Sequence, residues 1–354
     1  MKLSQFEYNL PEDRIAKFPP KVRGTTNLMV LNRDSQSIDH KKYADIPDYI
    51  KPGDVLVLNN TKVERVRVFL FNPRNEKRVE AIFLNKVCRG TDEAIEYWEC
   101  ILGRAKHVTE GDKLKSFLND DNYIEVEGKI SDGIFLVSSR KGKIDSFFQS
   151  EGHIPLPPYL HREDSEEDRV RYNTVFAKYI GSAAAPTAGL NVTEDLLNKL
   201  TNKGVKVVEV KLNVGWGTFA PIRTENIEDH KIHSERIEVT KQAADEINEV
   251  IKSGGDIWVL GTTAARTLES VAYKDKESDR YFVKEYEGDT NIYIYPGYEW
   301  KVVNHMITNF HAPKSSLVVM ISAFAGYDFI MKGYNTAIEK KYNFLSYGDS
   351  MLII

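Results

Sequence analysis

The residues best suited to chemistry sit in a few short stretches. Asp229-His230-Lys231-Ile232-His233-Ser234-Glu235 sets two imidazoles three residues apart among carboxylates. Imidazole is the side chain that titrates near neutrality, so this stretch could do acid–base work or touch RNA. On a helix the spacing would put both histidines on one face, where they could seat a metal. No third ligand at a recognisable spacing accompanies them, and a polar surface helix needs neither role. Arg266 follows Gly261-Thr262-Thr263 and could clamp a carboxylate ligand or pair with Glu269. His311 follows Asn309-Phe310, and Asp349 ends Tyr347-Gly348-Asp349, where it could act or simply cap a turn. Residues 181–193, Gly-Ser-Ala-Ala-Ala-Pro-Thr-Ala-Gly-Leu-Asn-Val-Thr, are almost all small. They could let backbone approach a ligand closely, or make a tight connection that only packs. The chain has no Gly-x-Gly-x-x-Gly, no Walker loop and no Ser-His-Asp signature.

These stretches need elements to hold them. Thr193 is placed to cap a helix carrying Leu196, Leu197 and Leu200, with Glu194 and Asp195 in its first turn and Gly204 as its stop. A β-branched strand over 205–212 follows. Residues 257–260 read as a strand leading through Gly261 into a helix with Ala264, Leu268 and Val271 on one face, and 306–310 as another strand. Strands at 28–31 and 55–58 precede them, the second ending in the polar cluster Asn59-Asn60-Thr61-Lys62, which could line a site or make an Asx-type turn. This β-α-β order predicts an α/β domain with a largely parallel sheet. Ligands of such sheets bind at the carboxyl ends of strands. Four turns fall there: 181–193, Gly215-Trp216-Gly217-Thr218-Phe219, Gly261-Thr262-Thr263 and Asn309-Phe310-His311.

Between about 63 and 150 the texture differs. Short alternating segments at 65–71, 78–84, 97–102, 123–130 and 134–138 are separated by turn signals. They predict an antiparallel β-barrel-like domain at 63–150, inserted into an α/β domain built from 1–62 and 151–354. Lys62, Arg65, Arg67, Arg74, Lys77 and Arg78 gather in its first part, as a solvated strand face or an RNA-backbone surface.

Composition sets limits. A chain of 354 residues with 42% hydrophobic and 28% charged residues can bury a large core. A net charge of −4 supplies no global positive field, so RNA contact must use a local patch. Its 2 cysteines, Cys88 and Cys100, form no Cys-x-x-Cys, which fits a reducing cytosol and argues against structural zinc. The N-terminal stretch lacks the apolar core of a signal peptide, and the most apolar run, 317–325, is about half the ~20 residues of a membrane span. A cytoplasmic, monomeric protein with no membrane contact is the expectation.

The whole chain resembles the S-adenosylmethionine:tRNA ribosyltransferase-isomerase family of queuosine biosynthesis. The resemblance rests on Leu58-Asn59-Asn60-Thr61-Lys62-Val63, Gly152-His153-Ile154-Pro155-Leu156-Pro157-Pro158-Tyr159, and Asp168-Arg169 through Arg171-Tyr172-Asn173-Thr174-Val175-Phe176-Ala177. It continues through Ala185-Pro186-Thr187-Ala188-Gly189-Leu190, Val214-Gly215 with Gly217-Thr218-Phe219, and His233-Ser234-Glu235. It ends with Gly261-Thr262-Thr263 and Arg266-Thr267-Leu268-Glu269-Ser270, Thr308-Asn309-Phe310-His311 with Pro313-Lys314-Ser315, and Ser346-Tyr347-Gly348-Asp349.

That resemblance implies a reaction in which S-adenosylmethionine is the ribosyl-donating substrate and no metal is used. Its ribose is transferred and isomerised onto 7-aminomethyl-7-deazaguanine at the tRNA wobble position. Epoxyqueuosine-tRNA forms, and adenine and methionine leave. The sulfonium acidifies the neighbouring C5′ proton, so a modest base can remove it. The resemblance puts His233, Glu235, His311 and Asp349 forward for the proton transfers, and Arg266 for the methionine carboxylate. It offers Asn60, Thr61, Pro186, Thr187, Ala188, Gly189, Asn191, Asn213, Gly215, Gly217, Thr218, Thr262, Thr263 and Asn309 as substrate contacts. Lys62, Arg65, Arg67 and Arg78 would hold the tRNA backbone. Against the family pattern, Asn191 and Asn213 stand where histidines are expected, and Asn27 lies in a loop that also differs. Amides position groups but do not titrate near neutrality. A paralogue with another acceptor and a non-catalytic RNA-binding relative are the alternatives.

Overall fold

Alternating apolar residues decide how the main sheet is covered. In the strand Val55–Asn59, Val55 and Val57 join one core cluster while Leu56 and Leu58 join another. The same split divides Met29 and Leu31 from Leu28 and Val30 in Asn27–Asn32. Successive side chains of a strand point to opposite faces, so both faces of this sheet are buried. Helices Lys241–Ser253, Thr262–Val271, Ser316–Ala325 and Tyr327–Glu339 feed the first cluster, and helix Glu194–Asn202 feeds the second. This computed structural model describes residues 1–89, 93–103, 105–131, 133–215 and 222–354.

The sheet has nine strands in the order Tyr286–Thr290, Glu235–Val239, Lys206–Leu212, Val55–Asn59, Ile257–Leu260, His305–Asn309, Ser350–Ile353, Asn27–Asn32, Ser37–Lys42. It is mixed, not largely parallel as the β-α-β pattern predicts. Parallel pairing holds through the centre, from Lys206–Leu212 to His305–Asn309, and again between Ser350–Ile353 and Asn27–Asn32. The other four neighbour pairs are antiparallel. The reason is physical. Ser37–Lys42, Glu235–Val239 and Tyr286–Thr290 are polar strands toward the two edges, where one solvated face suits antiparallel pairing. Ser350–Ile353 is fully buried, wedged between two strands from distant parts of the chain.

Helix Glu194–Asn202 starts as its sequence predicts, with the Thr193 hydroxyl accepting from Leu196 N at 3.1 Å, a cap worth about 1 kcal/mol. The apolar run 317–325 lies in the buried helix Ser316–Ala325. Among the described residues no single helix is long and apolar enough to cross a membrane.

The five alternating segments, with a short sixth strand Lys113–Lys115 that their pattern did not predict, form a closed antiparallel barrel. Its order is Ile134–Arg140, Ile95–Leu102, Lys77–Val87, Arg67–Asn72, Lys113–Lys115 and Tyr123–Ser131, which returns to the first. Val68, Leu70, Val79, Ala81 and Phe83 point inward into one core, joined by Ile144 and Phe147 of helix Lys143–Ser150. The chain enters and leaves this region side by side. Arg67 and His153 exchange backbone hydrogen bonds at 3.1 and 2.7 Å, and Arg65 Nε donates to the Gly152 carbonyl at 2.6 Å. A Cβ on Gly152 would lie 2.2 Å from the Arg65 carbonyl oxygen, so only glycine fits this crossing.

Candidate active site

Two clefts open side by side beyond the strand ends, and Leu317 lines both. The first is built on Glu235, the buried first residue of Glu235–Val239. One carboxylate oxygen accepts from Gly215 N at 3.0 Å and the other from Arg266 Nη1. Arg266 reaches across from the first turns of Thr262–Val271 and donates through Nε to the Ile292 carbonyl at 3.3 Å. Both partners of this ion pair are only 5% exposed. Its two charges are desolvated, so each depends on the other's geometry. Arg266 Nη2 and the Tyr293 hydroxyl are buried with no hydrogen-bond partner among the described residues, and both residues line the cleft. His233, exposed, stands at the same cleft with Ile232, Ser316 and Met320. A buried guanidinium with an uncommitted N–H face is a ready partner for a carboxylate.

The second cleft lies between Pro186-Thr187-Ala188, the Gly261-Thr262-Thr263 turn, and Thr308, Asn309 and His311. Gly261 has φ +89°, and a Cβ there would meet Ala188 Cβ at 3.1 Å. The turn therefore needs glycine both for its left-handed backbone and for the close approach of the small-residue loop. Thr187 Oγ1 donates to Asn309 Oδ1 at 3.0 Å, which fixes the amide and leaves its Nδ2 buried without a partner among the described residues. His311 Nε2 lies 3.0 Å from the Thr308 hydroxyl, its backbone N–H donates to Tyr334 Oη at 2.8 Å, and its backbone carbonyl accepts from Tyr8. Burial pushes its imidazole down to about 3. It is neutral at working pH and can take or give a hydrogen bond, but it is a weak base there.

The family described as Queuosine biosynthesis protein matches residues 3–353. The chain belongs to this family. It is 42% identical over 354 residues to an S-adenosylmethionine:tRNA ribosyltransferase-isomerase of Sulfurihydrogenibium sp., covering 100% of both chains. It is 44% identical over 355 residues to the protein of that name from Thermoanaerobacter sp., again covering 100% of both. The crystal structure of an S-adenosylmethionine tRNA ribosyltransferase from Thermotoga maritima is similar with a TM-score of 0.54 and 30% identity, over 99% of this chain and 100% of that one.

Placed on this queuosine-family fold, the residues singled out by sequence separate. Glu235, Arg266, His233 and Gly215 meet in the first cleft; Pro186, Thr187, Ala188, Thr262, Thr263, Asn309 and His311 meet in the second. Asp349 lines neither. It is 2% exposed and accepts from Asn27 N at 2.6 Å and Asn343 N at 2.7 Å, tying the last strand to the first. Burial raises its pKa, against those hydrogen bonds. Residues 229–235 are not a helix: a 3-10 turn, Ile227–Asp229, runs into extended chain and then the strand. His230 packs edge-on to Tyr293 at 5.3 Å while His233 faces the cleft. Among the described residues no group of three His, Cys, Asp or Glu side chains could hold a metal. Arg266 pairs with Glu235 rather than Glu269, whose carboxylate accepts from Val302 N and Val303 N at 3.1 Å and from Tyr298 Oη at 2.9 Å.

Several of the small and amide residues contact other parts of the fold. A Cβ on Gly189 would lie 2.7 Å from Phe176 Cζ. Asn191 Nδ2, 1% exposed, donates to the Gly348 carbonyl at 3.0 Å. Asn213 lies against Gly181, where a Cβ would be 2.9 Å from its Nδ2. Asn60 donates to Glu209 at 3.0 Å, and Thr61 Oγ1 lies 2.7 Å from Ser182 Oγ. Asn60, Thr61, Gly189, Asn191 and Asn213 are absent from the walls of both clefts. Gly217 and Thr218 fall outside the described residues.

The four proposed tRNA cations are differently engaged. Lys62 pairs with Glu64 at 2.7 Å and Arg67 with Glu80 at 2.5 Å, while Arg65 holds Gly152 and Gln149 carbonyls. Arg78 is exposed and stacks over Phe69 at 3.8 Å. Sequence reasoning missed Tyr293, Ile292, Ser316 and Met320. The first two lie in a segment outside regular secondary structure; the signal in sequence was the aromatic-rich run Ile292-Tyr293-Ile294-Tyr295 with Tyr298 close behind.

Proposed function

We propose that this chain transfers and isomerises the ribosyl moiety of S-adenosylmethionine onto 7-aminomethyl-7-deazaguanine in tRNA, giving epoxyqueuosine-tRNA. The observation that carries the reading is full-length identity of 42–44% to proteins named for that activity. The site chemistry agrees with it. Arg266 Nη2 is the contact for the methionine carboxylate, and Glu235 positions that guanidinium through Nη1. His233 stands on the same cleft as the base for the C5′ proton beside the sulfonium. His311, neutral by burial, acts as a hydrogen-bonding group. Asp349 is a positioning residue that holds the turn after 343. No metal takes part in this scheme.

On the barrel, Arg78 is the phosphate contact best supported, because the other three cations are committed within the protein. Residues 63–150 would then act as a unit that presents the tRNA to the clefts. Incubation with S-adenosylmethionine, with and without tRNA carrying the modified base, tests the reading. Adenine is released only with that tRNA. Release without tRNA would indicate cleavage or another acceptor, and no release would leave a binding protein.

A further inference from the structure

The second cleft has an unusual set of unmet needs. Asn309 is 2% exposed, its Oδ1 is taken by Thr187, and its Nδ2 has no partner among the described residues. Thr263 Oγ1, buried in the same wall, is unpartnered in the same sense. Helix Thr262–Val271, ten residues long, begins at this cleft, and among the described residues no side chain caps it. Buried donors without partners cost about 1–3 kcal/mol each, so a ligand that supplies acceptors is favoured there.

The rest of the wall says what kind of acceptor. Ala185, Pro186, Ala188, Val214 and Leu317 are apolar, and among the described residues no Lys or Arg lines the cleft. An anion would find its counter-charge in the neighbouring cleft, at Arg266. A cleft with one apolar side, no Lys or Arg among the described residues that line it, and a few fixed donors suits a flat, neutral heteroaromatic ring with nitrogen acceptors on its edge.

We propose that the cleft around Asn309 is the purine subsite, with Asn309 Nδ2 and the Thr263 hydroxyl reading the ring-nitrogen edge of the adenine of S-adenosylmethionine. This rests on the reading of S-adenosylmethionine as substrate. It divides the donor between the clefts, its purine on Asn309 and its methionine carboxylate on Arg266. The Thr187 hydroxyl is then a specificity element: by holding Oδ1 it decides which end of the amide faces the base.

Calorimetric titration of the full chain with adenine, methionine and S-adenosylmethionine tests this. Wild type binds adenine. Asn309→Asp keeps the shape but replaces the donor with an acceptor, and Thr263→Val removes the hydroxyl at constant volume. Each weakens adenine about tenfold or more and leaves methionine affinity as it was. If either variant spares adenine, or weakens methionine instead, the assignment is overturned. If wild type takes S-adenosylmethionine but adenine neither binds nor competes, this inference alone falls. If wild type takes no S-adenosylmethionine, the proposed activity falls and this subsite with it.

Discussion

Arg266→Gln is the most informative single perturbation of the first cleft. The side chain keeps much of its length but loses its charge. Glu235, 5% exposed, then keeps Gly215 N–H at 3.0 Å but loses its guanidinium partner. Removing one member of a buried ion pair typically costs 3–5 kcal/mol. Because the hydrogen bond from Gly215 N survives, the lower end, about 3 kcal/mol, is expected. Changing both residues to glutamine leaves no buried charge, so the double variant should recover about 1–3 kcal/mol relative to the sum of the two single losses. Urea unfolding of the wild type, both single variants and the double variant measures this coupling, provided the slope with denaturant is unchanged. The same Arg266→Gln variant should raise KM for S-adenosylmethionine about 10- to 100-fold, the worth of hydrogen bonds to a charged group. A stability loss below about 1 kcal/mol with strictly additive single variants would refute the argument.

Other outcomes follow from the same geometry. His311 is held down near pKa 3 by burial while an unfolded histidine titrates near 6.5, so its contribution to stability is present above about 6.5 and is lost as pH falls toward 3. The slope of unfolding free energy between pH 6 and 4 should shrink by up to about 1.4 kcal/mol per pH unit in His311→Gln, since His305, also lowered by burial, and Asp349, raised by it, remain in both proteins; an identical slope would count against a buried neutral imidazole. Asn191→His with Asn213→His should change turnover by less than about tenfold, because neither side chain lines a cleft; a gain in the ~10²–10⁴ range of a general acid–base group would overturn that placement. Arg78→Ala should lower the salt slope of tRNA binding by about 0.7 with no loss of stability, whereas Arg65→Ala should destabilise the crossing at Gly152; an unchanged slope for Arg78→Ala would remove it from the RNA surface.

The apolar strands were legible in sequence because burial on both faces or on one leaves a pattern in consecutive residues. Val55–Asn59, Ile257–Leu260 and five of the six barrel strands announce themselves in that way, while the three-residue Lys113–Lys115 is too short to show a pattern. Ser37–Lys42 and Glu235–Val239 do not, since Ser-Ile-Asp-His-Lys-Lys and Glu-Arg-Ile-Glu-Val have too few apolar residues to stand apart from a charged loop. Missing them made the sheet look parallel. The cluster at the clefts was legible as a set of turns at strand ends, but its internal pairing was not. Arg266 finds Glu235 thirty-one positions away, and only the sheet edge brings them together. The two roles open to Asp349 could not be told apart in sequence, because a carboxylate that caps backbone N–H groups has the same signature as one in a site; the structure shows it accepting from Asn27 N and Asn343 N.

The central claim is ribosyl transfer, and the mass of the modified nucleoside tests it most directly. After incubation with S-adenosylmethionine, tRNA bearing 7-aminomethyl-7-deazaguanine is digested and its nucleosides are weighed by mass spectrometry. The target nucleoside is expected to gain the mass of an isomerised ribosyl unit while adenine and methionine appear in equal amounts. A target nucleoside of unchanged mass, or one heavier by a methyl group only, would contradict it.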